Sequence, residues 1–148
     1  MAPRARVLIA APEVVIRQLG AAVMEHVDVA GAPTWERALE CLSEPPLHLV
    51  VICYVFDELR PYRLIQHVRD SAQREVPIIL VRAVSVPLGE TRETDLRKGY
   101  SELGANLFLN FSDYADRHGL DAALQEFQRS VHAMLATQSG IPTEAADG

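Results

Sequence analysis

Two side chains that could do chemistry stand at the ends of apolar runs. Cys53 ends the run LVVIC, and Arg82 follows the run PIILV. A thiol becomes reactive when it is exposed and a nearby cation lowers its pKa, and Arg82 would supply that cation at a neighbouring strand end. A cysteine that finishes a buried strand otherwise behaves as a small hydrophobe. We favour the inert interpretation of Cys53 and keep a redox switch as an alternative.

Acidic residues follow the same kind of apolar run. Glu13 comes shortly after the first run, and Asp57 and Glu58 come shortly after Cys53. Ligands of open α/β sheets bind at the carboxyl ends of the strands, so these acids and Arg82 form a possible ligand rim. An anion held by Arg82 and a helix N-terminus is the most physical form of that site. Charged residues at helix starts are, however, more often dipole partners than ligand groups.

Metal, cofactor and catalytic motifs have no support in the chain. No two histidines have the i, i+4 spacing of a helical metal pair, and neither cysteine has a metal-type partner nearby. The histidines are His26, His48, His67, His118 and His132. The turn after the first apolar run contains no glycine, which argues against a phosphate-binding loop. We therefore predict no metal site, no cofactor and no catalytic residue, and we expect His67 and His132 on solvated helix faces.

The elements that would position these residues alternate between strands and helices. Five short apolar runs predict strands at 6–10, 27–30, 49–53, 78–81 and 106–109, and three are almost unbroken, as in strands covered on both faces. Helical stripes lie between them, with Thr34 as a cap and Pro61 in a first turn. This alternation predicts an α/β fold: a single three-layer, doubly wound (βα)5 domain with a five-stranded parallel sheet.

The remaining segments set the domain bounds. Residues 1–136 are predicted to form the one domain, and the small, polar and acidic residues 137–148 are predicted to form a disordered tail. Residues 83–92 include a proline and a glycine and are predicted to form a loop. Trp35 lies in a helical stripe and is expected to anchor the core.

Composition and charge narrow the class of protein. The 148 residues suit one domain, and the formal net charge of −6, with scattered arginines and a single lysine, disfavours nucleic acid as a partner. No secretory signal and no run long enough to cross a membrane is visible. The two cysteines, Cys41 and Cys53, make no disulfide framework, so we expect a protein of the reducing cytoplasm.

Six segments, taken in order and at their separations, resemble one known family. From residue 4 to residue 135 the chain is similar to the CheY-like receiver domain of bacterial response regulators. The segments are RVLIAAPEVVIRQL, WERALECL, PLHLVVIC, LIQHVR, PIILVRA and GANLFLNF. The resemblance implies a flavodoxin-like, receiver-like fold.

The same resemblance implies that the family's phosphorylation site is degenerate. A typical receiver has two acids for Mg²⁺ after the first strand, a phosphoacceptor aspartate after the third, a hydroxyl after the fourth and a lysine after the fifth. In this chain the acid positions fall on Ala11 and Pro12, and the acceptor position falls on Cys53. The hydroxyl position falls on Arg82 and the lysine position on Phe111. The resemblance therefore implies a pseudo-receiver in which no Mg²⁺ is expected.

The leading hypothesis is a stand-alone pseudo-receiver, a non-enzymatic and phosphorylation-independent signalling or scaffold module. Its expected partner is another protein or a second copy of itself. Phe108 falls near the aromatic position that moves during signalling in the family, and we expect it to be plain core here. The alternative hypothesis is a small-ligand or anion sensor at the carboxyl ends of the strands near Arg82.

Overall fold

Five strands and six helices make up the part of the chain that the structure describes, and they alternate until the last two helices, which are consecutive. The computed structural model describes residues 4–44, 46–56, 61–71, 73–83 and 90–137. The elements are β1 (Arg6–Ala10), α1 (Glu13–Val23), β2 (Asp28–Ala32), α2 (Trp35–Leu42), β3 (Leu49–Cys53), α3 (Pro61–Asp70), β4 (Ile78–Val81), α4 (Glu90–Leu103), β5 (Leu107–Leu109), α5 (Phe111–His118) and α6 (Leu120–Ala136). None of the helices in these ranges has the length and apolar character needed to cross a bilayer.

The strands form one parallel sheet in the order β2-β1-β3-β4-β5. This order confirms the predicted doubly wound α/β fold of the flavodoxin type. The direction of winding reverses between β1 and β3, and ligands of such sheets bind at this switch point. Ala10 pairs with Ile52 across it, and Cys53 pairs with Val81 on the other side of β3. The carboxyl ends of these strands therefore meet at one edge of the sheet.

The alternation of side chains along each strand divides the core into two apolar clusters. Val7 and Ile9 of β1 pack under α1 and α6, whereas Leu8 and Ala10 face α2, α3 and α4. Every residue of β3 and of β4 is buried. Burial on both faces explains why these two strands have unbroken apolar sequences.

Local chemistry fixes several helix ends. Thr34 caps α2, because its Oγ1 accepts a hydrogen bond from the Arg37 N–H at 3.2 Å. Pro61 is the first residue of α3, where its missing N–H costs nothing. Trp35 is half-buried rather than fully buried, and the edge of its ring meets His67 with centroids 6.0 Å apart.

Several predicted bounds are wrong by a few residues. The strand predicted at 27–30 is β2, at Asp28–Ala32, and the last strand begins at Leu107 rather than at residue 106. The loop predicted at 83–92 ends earlier, because α4 already begins at Glu90. Glutamate and arginine are good helix formers and extend α4 before its apolar stripe starts. Residues 84–89 and the predicted tail at 138–148 lie outside the described residues.

The predicted (βα)5 pattern omits a helix, α5. Asn110 caps this helix, since its Oδ1 accepts a hydrogen bond from the Asp113 N–H at 3.1 Å. Arg117 pairs with Asp113 one turn earlier at 3.2 Å, and Gly119 then separates α5 from α6 with a φ of +94°. These features are local, and the eight residues of α5 hold too short an apolar stripe to reveal a helix by periodicity.

At the amino ends of the strands, Arg69 joins two connections, the one between α3 and β4 and the one between α4 and β5. Its guanidinium donates to the carbonyl oxygens of Gly104 at 2.5 Å, of Val76 at 2.6 Å and of Arg74 at 2.7 Å. It also donates to Oδ1 of Asn106 at 2.9 Å. A Cβ at Gly104, where φ is +118°, would lie 2.7 Å from Nε of Arg69, so the glycine lets the guanidinium approach the backbone.

We expect Arg69→Ala to lower the free energy of unfolding by about 2–3 kcal/mol, because several part-buried acceptors lose a charged donor. Arg69→Lys recovers only part of this loss, since one ammonium group cannot reproduce the planar fork. Arg74→Ala, which removes an exposed guanidinium, is the matched control and should change stability by less than about 0.5 kcal/mol. Urea unfolding measures all three, and equal losses in Arg69→Ala and Arg74→Ala would contradict the assignment.

His48 joins β1 to the start of β3 through a neutral imidazole. The His48 Nδ1 accepts a hydrogen bond from the Arg6 backbone N–H at 2.9 Å, and the His48 backbone N–H donates to the Arg6 carbonyl oxygen at 2.9 Å. Burial lowers the pKa of His48, because burial disfavours the charged imidazolium. The folded protein therefore binds fewer protons at this position than the unfolded chain does.

The contribution of His48 to stability is present above the pKa of an unfolded histidine, about 6.5, and is lost as the pH falls toward the lower folded pKa. We expect the melting temperature to fall between pH 7.5 and pH 5.5 by less in His48→Asn than in the wild type, since an amide oxygen accepts without titrating. His67→Asn removes an exposed histidine and should retain the wild-type pH dependence. Identical pH dependence in wild type and His48→Asn would show that His48 plays no such role.

Candidate functional site

The carboxyl ends of β1, β3, β4 and β5 form the candidate site, and the parallel ladder continues past the last strand residues. The Tyr54 N–H donates to the Val81 carbonyl oxygen at 2.8 Å, and the Arg82 N–H donates to the Leu109 carbonyl oxygen at 2.9 Å. The residues that follow β3, β4 and β5 are thus held side by side. This brings Cys53 and Arg82 to the same edge of the sheet, as the sequence predicts.

Three of the five positions that the resemblance singles out lie in a single buried apolar cluster. Ala11 and Cys53 have no exposed surface, and Phe111 is 6% exposed. All three pack with the side chains that β1, β3 and β4 direct toward α1 and α6. Pro12 is half-buried, and its carbonyl oxygen accepts the Val15 N–H at 3.0 Å as α1 begins. The apolar core therefore extends to the edge of the sheet where the family carries its charged groups.

The Cys53 thiol is protected rather than activated. Burial raises its pKa, and hydrogen bonds with the backbone of Val55, Ala83 and Tyr54 act in the opposite direction without overcoming the effect of burial. Cys41 is also a buried free thiol whose pKa is raised by burial, and it lies in the cluster on the other face of the sheet. Little thiolate forms on either residue at neutral pH.

Arg82 is a buried charged residue, 8% exposed, at the end of β4. Its Nη1 donates to Oδ1 of Asn110 at 3.3 Å, and this oxygen also accepts the N–H that caps α5. The Arg82 carbonyl oxygen accepts the Ser112 N–H at 2.9 Å. Both the main chain and the side chain of Arg82 therefore bind the junction between β5 and α5.

Two of the four predicted ligand-rim residues, Glu13 and Arg82, lie in the part of the chain that the structure describes. Glu13 is exposed in the first turn of α1, and one of its carboxylate oxygens lies 3.9 Å from Nη2 of Arg17. Arg82 donates to Oδ1 of Asn110. Asp57 and Glu58 lie outside the described residues.

A small cavity of about 50 Å³ lies beside Phe111, between the end of β5 and helices α5 and α6. Its wall is mostly apolar and aromatic, and its acidic member, Glu126, forms an ion pair with Arg129 at 2.8 Å. The lining residues are Leu109, Asn110, Phe111, Tyr114, Ala123, Glu126 and Phe127. The cavity continues the apolar character of the site.

Histidines and acids do not assemble a metal centre in the described part of the chain, where no three His, Cys, Asp or Glu side chains come together. His67 is exposed, as predicted. The prediction of a solvated His132 is wrong, because its half-buried ring packs edge-on against His26 with centroids 5.0 Å apart. The contact joins α6 to the turn after α1, which periodicity alone does not place together.

Phe108 is only half-buried, although it packs against the cluster on the α2, α3 and α4 face. The Arg97 guanidinium lies over its ring, 4.7 Å from the centroid, in a cation–π arrangement. Arg97 belongs to α4, and so does Tyr100. The ring of Tyr100 meets that of Tyr54 edge-on, with centroids 6.5 Å apart, and burial raises the pKa of Tyr100 to about 12.

Sequence reasoning missed the role of Asn110 at this site. Its amide oxygen receives both the cap of α5 and the Arg82 guanidinium. An asparagine three residues before Asp113 is a recognisable capping pattern, so the cap was open to prediction. The contact with Arg82 was not, because it depends on how β4 and β5 lie side by side.

Because both thiols are buried and protonated, we expect an aromatic disulfide reagent to modify neither Cys41 nor Cys53 in the native protein and both in denaturant. Single Cys41→Ala and Cys53→Ala variants assign the signals. A fast native reaction that disappears in Cys53→Ala would restore the redox hypothesis.

Comparison with known proteins shows that the chain has the same fold as several solved structures. No protein-family model and no curated protein matches the chain. Among solved structures, the phosphorylated cyanobacterial phytochrome response regulator RcpA is 14% identical, with a TM-score of 0.70 over 93% of this chain and 98% of that one. A response regulator from Thermotoga maritima is 14% identical, with a TM-score of 0.68 over 90% and 98%.

A sensor protein from Polaromonas sp. JS666 is 21% identical, with a TM-score of 0.64 over 89% of this chain and 99% of that one. At these identities the likeness concerns the fold. Response regulators, one of them a CheY-like receiver domain, are among the structural neighbours, and the chain has their fold.

Proposed function

We propose that this chain is a receiver-like signalling module that works without phosphoryl transfer, through contact with another protein or with a second copy of itself. The observation that carries the proposal is the burial of Ala11, Cys53 and Phe111 in one apolar cluster at the ends of the strands. The similarity of the fold to response regulators supports a role in signalling. The proposed module is not an enzyme.

The residues present at these positions do not fit Mg²⁺. This cation requires several oxygen ligands at close to octahedral geometry. Ala11 contributes a methyl group, Cys53 a protonated thiol and Phe111 a phenyl ring, each inside the buried cluster. Ionised groups are costly to bury without partners, so this edge of the sheet disfavours both the metal and a phosphoaspartate.

A guanidinium stands where the family carries a hydroxyl. In the family that hydroxyl contacts the phosphoryl oxygens, but the Arg82 guanidinium is bound to Asn110. An external anion would have to compete with this acceptor for the guanidinium, so it would bind more weakly. We therefore propose that the site has changed from a reversible switch to a fixed structural element.

We favour protein contact over the anion-sensor alternative because two helix N-terminal donors are already engaged. The Ser112 N–H donates to the Arg82 carbonyl oxygen, and the Asp113 N–H donates to Oδ1 of Asn110. An anion at the start of α5 would have to displace these bonds. We also propose a cytoplasmic location, in keeping with two free, buried thiols.

The test is incubation of the protein with acetyl phosphate and Mg²⁺, followed by intact-mass analysis. We expect no acid-labile phosphoryl adduct, and an active receiver domain treated in parallel serves as the positive control. A Cys53→Asp variant should also stay unmodified, because Ala11 and Pro12 supply no side-chain ligands for Mg²⁺. An acid-labile adduct on the wild-type chain, for example on Asp57, would overturn the proposal.

A further inference from the structure

Arg82 connects three consecutive features of the fold. Its N–H donates to the Leu109 carbonyl oxygen in β5, and its carbonyl oxygen accepts the Ser112 N–H in α5, each at 2.9 Å. Its Nη1 donates at 3.3 Å to Oδ1 of Asn110, the cap residue between these two elements. A single residue at the end of β4 thus holds both sides of the β5–α5 junction.

Helix α5 depends on this junction for its position. It has eight residues, which is too short for a helix to be stable in water without tertiary contacts. Its other end is Gly119, where φ is +94° and the N–H donates to the Ala115 carbonyl oxygen at 2.8 Å. Phe111 and the contacts with α6 anchor one side of α5, and Arg82 with Asn110 anchors its start.

We propose that Arg82 is a positioning residue that acts as a permanent internal ligand and locks α5 in one orientation on the end of the sheet. This inference rests on the proposed function, because it explains how a receiver-like module presents one fixed surface without phosphorylation. The guanidinium occupies the strand-end position that would otherwise respond to a phosphoryl group. The module would then signal by being present or absent, not by switching.

The buried cation suits this role because its acceptor also caps the helix. Oδ1 of Asn110 receives the Arg82 Nη1 and the Asp113 N–H together. At 3.3 Å the bond from Arg82 is long, but its donor carries a full charge, which makes it stronger than a neutral bond of the same length. Loss of the guanidinium should therefore loosen the start of α5 before it loosens the sheet.

Hydrogen–deuterium exchange in the full chain, without any phosphoryl donor, tests the lock. Arg82→Met is the main variant, because it keeps an unbranched apolar side chain while removing the donors. We expect the amides of residues 112–118 to exchange about tenfold faster, while the amides of β1 and β3 keep wild-type protection. Arg82→Lys retains a cation and should give an intermediate rate.

Variants of Asn110 measure the energetic coupling between Asn110 and Arg82. Asn110→Asp keeps the acceptor and adds a charge, so α5 should exchange at the wild-type rate or more slowly. Asn110→Ala removes the acceptor and the cap, and Arg82→Met added to it should cause little further change. These variants keep the proposal testable even if Arg82→Met folds poorly.

Three results would overturn the lock: unchanged exchange of α5 in Arg82→Met, equal acceleration in α5 and in β1 and β3, or fully additive effects of the Arg82 and Asn110 substitutions. The first means that Arg82 does not hold α5, the second that it only stabilises the whole fold, and the third that the two side chains are not coupled. None of these results involves phosphorylation, so failure of the lock is distinguishable from failure of the proposed function, which shows as an adduct.

Discussion

The burial of apolar side chains at the ends of β1 and β3 and at the start of α5 is the constraint on which the rest of this site depends. Ala11 and Cys53 have no exposed surface, and Phe111 closes the same cluster from the start of α5. An ionised side chain is tolerated in such surroundings only when another group of the protein binds it. Arg82 meets this condition by donating to Asn110, which also caps the adjoining helix. In the function and the α5 lock that we propose, the loss of the polar switch and the fixed position of α5 follow from this one physical cause.

At the amino ends of the strands, polar side chains likewise have partners within the domain, and there the partners are backbone groups. The Arg69 guanidinium donates to three backbone carbonyls in two connections, and the neutral ring nitrogen of His48 accepts from the backbone of β1. In both places a polar side chain forms hydrogen bonds with backbone N–H or C=O groups that have no partner in the sheet. Arginine suits such places because its fork reaches several acceptors at once. Both ends of the sheet are therefore held by side chains of the domain itself.

The sequence predicts those parts of the fold whose pattern is strong. Strands β1, β3 and β4 have the predicted bounds because burial on both faces demands unbroken apolar runs. Helix α5 escaped prediction because caps and an ion pair define it, and these features carry little periodicity. The convergence of Cys53 and Arg82 at one edge followed from strand order, but the choice of Asn110 as the acceptor for Arg82 required the geometry of β4 beside β5.

The most direct test of a dry, apolar site is a Mg²⁺ titration followed through the backbone amide resonances of the strand-end residues. The residues to follow are Ala11, Cys53 and Arg82, with an exposed position such as Glu36 as the reference for weak surface binding. The account predicts only small, unsaturable shifts at all four amides. Saturable shifts confined to the three strand-end amides would mean that a cation binds there, and would contradict it.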